Sequence, residues 1–153
     1  MIIKTDYPPT PQNRPRVTRN VTYDTSVKDK KDFLKSVLTQ LPKEPLNEAL
    51  IMQVKFYFKR PKSHYNSKGK LKMIAPTQHT KKPDIDNLLK FVLDALNKHL
   101  YVDDSQVVSL TGKKFYADKE GIEISVRALS ELGLDEKYSL YLRADMERKL
   151  NEA

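Results

Sequence analysis

The chain has no cysteine. That excludes disulfides, thiolate metal sites and thiol nucleophiles, and it fits a reducing compartment. No stretch approaches the ~18 apolar residues that cross a bilayer. The start, Met1-Ile2-Ile3-Lys4-Thr5-Asp6, also lacks the apolar core of a signal peptide. A cytoplasmic location with no membrane partner is the expectation. Glycine is scarce and scattered, so there is no glycine-rich phosphate loop and nucleotide-driven chemistry is not expected. His64, His79 and His99 show no metal-ligand spacing. Acid is missing from one whole segment: Lys59 to Lys82 carries eight Lys/Arg and no Asp or Glu.

What is present is one domain's worth of chain with a lopsided charge. Residues 1–82 hold 18 Lys/Arg against 6 Asp/Glu, whereas residues 83–153 hold 10 against 14. A basic surface could serve solubility alone. An acid-free run leading straight into a carboxylate cluster points instead to a polyanion held by the first half and processed at the centre.

Periodicity supplies the elements. Met1 to Tyr7 reads as a short strand. Pro8, Pro9, Pro11 and Pro15 make residues 8–24 loop-like, and Arg14, Arg16 and Arg19 make them a basic arm. Ser26 is placed to cap a helix over 27–41, with Phe33, Leu34, Val37, Leu38 and Leu41 on one stripe. Met52, Val54, Phe56 and Phe58 alternate with polar residues along a strand from Leu50 to Phe58. Residues 59–82 form a long polar loop, the kind that is functional or mobile in a compact domain. Ile85, Leu88, Leu89, Val92, Leu93 and Leu96 define the best-supported helix, with Asp84 or Asp86 as its cap. Strands over 105–116 and 122–128 read as a hairpin. Leu134, Tyr138, Leu142, Met146 and Leu150 mark a terminal amphipathic helix, expected to pack on the sheet or on a partner subunit. The order β-α-β-α-β-β plus a C-terminal helix predicts an α/β (α+β) domain with a small mixed sheet.

The chemistry lies at both ends of the central helix. Its start reads Pro83-Asp84-Ile85-Asp86-Asn87-Leu88-Leu89-Lys90, and its exit Tyr101-Val102-Asp103-Asp104. A hard divalent cation is held by one or two carboxylates together with substrate phosphate oxygens. A few aspartates inside a basic protein are therefore what metal-assisted phosphodiester cleavage needs. Asp84 and Asp86 would diverge by ~200° inside a regular helix, but can face one side where the chain is still extended. Each acid could instead be a helix or turn cap, and Lys90 could belong to an Asp86–Lys90–Asp94 ladder of weak ion pairs. Adjacent like charges at Asp103-Asp104 favour a ligand role for at least one. The helix rises about 18 Å from Asp86 to Lys98, so Asp104 reaches Asp86 only through a sharp reversal or from a two-fold partner. Pro83-Asp84 invites a PD-(D/E)xK reading, but Asp104-Ser105-Gln106 lacks that motif's lysine.

At these residues the chain resembles the RusA family of Holliday-junction resolvases, which are typically borne by phages or prophages. The match runs through Lys82-Pro83-Asp84-Ile85-Asp86-Asn87-Leu88-Leu89-Lys90, Leu93-Asp94-Ala95-Leu96-Asn97 and Asp103-Asp104-Ser105-Gln106-Val107-Val108. Arg14-Pro15-Arg16 and Arg60-Pro61-Lys62-Ser63-His64-Tyr65 fit as well. The resemblance implies an endonuclease domain over residues 1–130, followed by a helical extension over 131–153. It implies a homodimer, dependent on Mg²⁺ or Mn²⁺, that nicks four-way junction DNA symmetrically in recombination and repair. Asp84, Asp86 and Asp104 would carry catalysis and metal, with Asp103 alongside as a ligand and Lys90 as the catalytic lysine. Arg14, Arg16, Lys59, Arg60, Lys62, Lys81 and Lys82 would bind DNA. The rival from another class is a non-catalytic junction- or RNA-binding protein.

Overall fold

The computed structural model describes residues 1–152, apart from the side chains of Leu134, Tyr138, Leu140 and Tyr141. The elements in order are β1 (Ile2–Thr5), β2 (Arg16–Thr18), β3 (Val21–Tyr23), α1 (Val27–Val37), β4 (Leu50–Lys59), α2 (Ile85–Leu96), β5 (Val107–Ala117), β6 (Gly121–Ala128) and α3 (Leu134–Glu152). This is the mixed α+β class expected.

Strand β4 is the spine. Its alternation places Leu50, Met52, Val54 and Phe56 in the core, and it pairs on both sides. The sheet order is β1-β6-β4-β5, with β5 parallel to β4 and β6 antiparallel to it. The expected β5–β6 hairpin is therefore wrong: β4 lies between the two. A turn of Asp118 to Glu120 reads locally like a hairpin loop, but here it spans the end of β4, where the Arg60 N–H bonds to the Ala117 carbonyl at 3.0 Å. The strand with the strongest apolar alternation takes the centre, and local turn chemistry cannot reveal that.

Residues 8–24 also differ from the expected loop. Arg16–Thr18 and Val21–Tyr23 pair as a small antiparallel hairpin, exposed along its whole length. The prolines precede its strands and so do not interrupt them.

Helices α1 and α2 cover one face of the sheet. Phe33 and Val37 from α1 meet Leu88, Phe91, Val92, Ala95 and Leu96 from α2 over Ile3, Val54 and Ile124. Tyr7, Phe33 and Phe91 form an aromatic knot, with ring centroids 5.6 to 6.5 Å apart. Helix α1 stops at Val37 and tightens into a 3-10 turn through Gln40, leaving Leu38 exposed. Ser26 sits at the N-cap position but gives no side-chain cap; its buried hydroxyl accepts the Asn13 N–H at 3.0 Å instead. Helix α2 crosses β5 at Gly112. A Cβ there would stand 2.9 Å from Leu89 Cδ1 and 3.0 Å from Ile85 Cδ1, so any larger residue would have to displace the ends of those two side chains.

Leu142, Met146 and Leu150 of α3 lie exposed, so the sheet does not cover that stripe as expected. Leu134 and Tyr138, the other two residues of the stripe, lie outside the described side chains. An Arg127–Glu136 ion pair at 3.2 Å ties the helix start to β6.

Candidate active site

Asp84 is the N-cap of α2, in extended conformation, and Asp86 lies in its first turn. Neither carboxylate caps in the usual way: Asp84 makes no side-chain cap bond, and Asp86 Oδ1 accepts only the neighbouring Asn87 N–H at 2.9 Å. Both are exposed at the positive end of the helix dipole, which favours negative charge.

Asp104 is brought back to α2 by the sharp reversal that the sequence demanded. Lys98 takes a left-handed conformation (φ 67°) just past the helix, and the Leu100 N–H returns to the Leu96 carbonyl at 2.9 Å. Tyr101 is fully buried and donates its hydroxyl to the Leu93 carbonyl at 2.7 Å. Burial first, then the charges of Asp104 and Asp94, push its pKa well up, so it stays a donor. Asp103 then closes a capping box: its carboxylate accepts the Ser105 N–H, while Gln106 Oε1 accepts the Asp103 N–H at 2.8 Å. The Ser105 bonds hold the Asp103 carboxyl below its ordinary range. Gln106 Nε2 donates to the Leu46 and Glu48 carbonyls, each at 2.9 Å, pinning the turn to the approach to β4.

The result is a cleft of about 360 Å³ lined by Asp86, Leu89, Lys90, Leu93, Asp94, Asp104 and Leu110. Asp84 faces the adjoining groove of about 800 Å³, with His79, Lys81, Lys82, Lys113 and Lys114. Thus one chain brings Asp86, Lys90 and Asp104 to a shared cleft, while Asp84 stands next door and Asp103 is engaged in its turn. The alternative reading of an Asp86–Lys90–Asp94 ladder is not realised. Among the described residues none of Asp84, Asp86, Asp103, Asp104 or Lys90 has an ion-pair partner, and Asp94 pairs with Lys30 instead. Nor do three acidic or histidine side chains converge to hold a metal among the described residues.

The basic loop is ordered. Thr77 accepts the Tyr116 N–H at 2.8 Å and the His79 N–H reaches the Lys114 carbonyl at 3.1 Å, so residues 77–79 extend the β5 edge. His79 stacks on Phe58 with centroids 3.8 Å apart. Burial, then Lys114, lowers its pKa. Arg60 is used internally: it donates to the Pro76 carbonyl at 2.8 Å and lies over Tyr116. Arg14, Arg16, Lys62, Lys81 and Lys82 are exposed, as a phosphate-binding role requires, and Lys59 lines a separate cavity among Asp6, Asp118 and Glu120. Sequence reading missed Lys113 and Lys114, which line the groove with Asp84. No motif in the sequence marks them; only the crossing of α2 over β5 at Gly112 brings them beside Asp84. Lys114 donates to the Lys81 carbonyl; burial lowers its pKa, with the Asp84 charge opposing.

Comparison with known proteins agrees with this architecture. The chain is 37% identical over 133 residues to the uncharacterized protein YqaN of Bacillus subtilis (strain 168), covering 80% of this chain and 92% of that protein. It is 46% identical over 48 residues to the crossover junction endodeoxyribonuclease rusA of Lactococcus phage r1t, covering 31% of this chain and 37% of the phage protein. Residues 6–127 match the model of the endodeoxyribonuclease RusA family, and the chain belongs to that family.

Proposed function

We propose that this protein is a divalent-metal-dependent endodeoxyribonuclease that resolves Holliday junctions by paired nicks, acting as a homodimer in recombination and repair. The observation that carries the reading is the cleft itself. Asp86 and Asp104 present carboxylates there with no cationic partner, and Lys90 presents an amine with no carboxylate partner, among the described residues. Solvent-accessible carboxylates without a cationic partner are open to a ligand of opposite sign.

Two oxygen-donor carboxylates suit a hard cation such as Mg²⁺ or Mn²⁺, which completes its shell with water and phosphate oxygens. Asp86 and Asp104 would hold it, with Asp84 reaching from the groove. The cation would supply charge neutralisation and an activated water. The protein's own groups do the rest. Lys90, one turn beyond Asp86, stabilises negative charge developing on the scissile phosphate. Lys81, Lys82, Lys113 and Lys114 hold the neighbouring backbone, a contact that fixes register but reads little sequence. Exposed Arg14 and Arg16 extend that surface, and a two-fold assembly would set two such clefts on the opposed strands of a symmetric junction.

The test is cleavage of a synthetic four-way junction beside linear duplex of the same sequence, with Mg²⁺ or with EDTA. Symmetric nicks in the junction alone, abolished by EDTA, are the expected result. Tight junction binding without cleavage under any divalent ion would make the protein a non-catalytic junction binder.

A further inference from the structure

The cleft holds a charge that the catalytic reading does not use. Asp94 lies on its wall, four residues after Lys90 on the same helix, a spacing that puts an i,i+4 ion pair within reach. It does not form. Asp94 Oδ2 is 3.5 Å from Lys30 Nζ, which reaches across from α1. Lys30 is itself fixed, with Nζ 2.6 Å from Asp24 Oδ2, and it is the least exposed side chain of the three. Asp24 is held in place to receive it, since its Oδ1 accepts the Ser26 N–H at 2.8 Å and the Gln12 amide at 3.2 Å. The Gln12 N–H in turn bonds to the Asn87 carbonyl at 2.9 Å, in the first turn of α2. Burial opposes ionisation of Asp24, but the Lys30 ammonium and these donors outweigh it and hold its carboxyl below the usual range.

We propose that Lys30 is a positioning residue of the cleft: by occupying Asp94, it keeps the Lys90 amine from being captured one turn away and leaves it free for phosphate. The proposal rests on the nuclease reading for its consequence, but not for its geometry. Without Lys30, the half-buried Asp94 carboxylate has Lys90 one turn before it on the same helix, lining the same cleft. Capture there would cost rate and spare binding, because the groove lysines are untouched.

The experiment compares wild type with Lys30→Met, Lys30→Arg, Asp94→Asn and the double variant Lys30→Met/Asp94→Asn. Single-turnover junction cleavage should fall roughly two- to fivefold in Lys30→Met, the scale of a partly shielded i,i+4 pair, at unchanged junction affinity. Lys30→Arg should restore it, and the double variant should cleave as Asp94→Asn does. Should Lys30→Met fail to fold, Lys30→Gln replaces it. A second readout needs no DNA: acylation of the Lys90 amine in the free protein, followed by mass spectrometry, should slow in Lys30→Met and recover in the double variant. Lys90 labelling that ignores the Lys30 substitution, or a double variant no better than Lys30→Met, would overturn the proposal. If wild type cleaves no junction, the nuclease reading falls and the labelling result alone decides the role of Lys30.

Discussion

Neighbouring aspartates have separate roles here because their local geometry differs. Asp103 accepts the Ser105 N–H in a capping box, while Asp104, one residue later, lines the cleft with Asp86. Tyr101 sets that arrangement, since its hydroxyl joins the turn before Asp104 to the last turn of α2. Tyr101→Phe deletes the donor from a buried site and should cost about 1 kcal/mol, read as a lower urea midpoint at unchanged slope. The same variant should cleave junctions more slowly without binding them more weakly, because only the placement of Asp104 is loosened. A variant with wild-type cleavage would show that Asp104 needs no such anchor. The sequence exposed Asp84, Asp86, Lys90 and Asp104 as candidates through their spacing. It could not divide Asp103 from Asp104, because that division depends on where Gln106 finds Leu46 and Glu48, some sixty residues back in the chain.

At the scale of elements, the groove depends on a loop that the sequence showed only as polar and acid-free. Its order comes from β5-edge hydrogen bonds and from His79 lying on Phe58. The pKa of His79 is lowered in the folded protein. The folded state therefore binds the proton less readily than the unfolded chain, and this contribution to stability is present above the unfolded pKa of about 6.5. It is lost as pH falls through the lower folded value. Amide exchange at His79 and Tyr116 should accelerate selectively as pH falls below that range, after correction for intrinsic rates; a His79→Gln variant should lose the dependence. Exchange that tracks the whole molecule would assign the effect elsewhere. The central helix and β4 were legible because apolar periodicity is a local signal. The misread β5–β6 hairpin and the missed β2–β3 hairpin have a common cause. Strand partners are chosen by long-range burial around β4 in one case, and by pairing of an exposed, barely apolar arm in the other.

At the scale of the molecule, the reversal at Lys98 lets a single chain bring Asp86 and Asp104 to one cleft, so the proposed site needs no Asp104 from a second copy. What a dimer would add is a second cleft and a symmetric basic surface. Charge asymmetry along the chain made the division into a basic half and an acidic centre visible in advance. It could not show that the acids split between a cleft and a groove. The most direct test of the account is single-turnover junction cleavage, in Mg²⁺, by Asp86→Asn, by Asp104→Asn, and by the two variants co-expressed and purified as a mixed dimer. Each variant should fold, bind junctions and cleave at least about a hundredfold more slowly, the usual scale for loss of a group stabilising the transition state. The mixed dimer should stay equally inactive, since both of its clefts are broken. Cleavage restored in the mixed dimer, or retained in either single variant, would contradict a catalytic cleft built by Asp86 and Asp104 of the same chain.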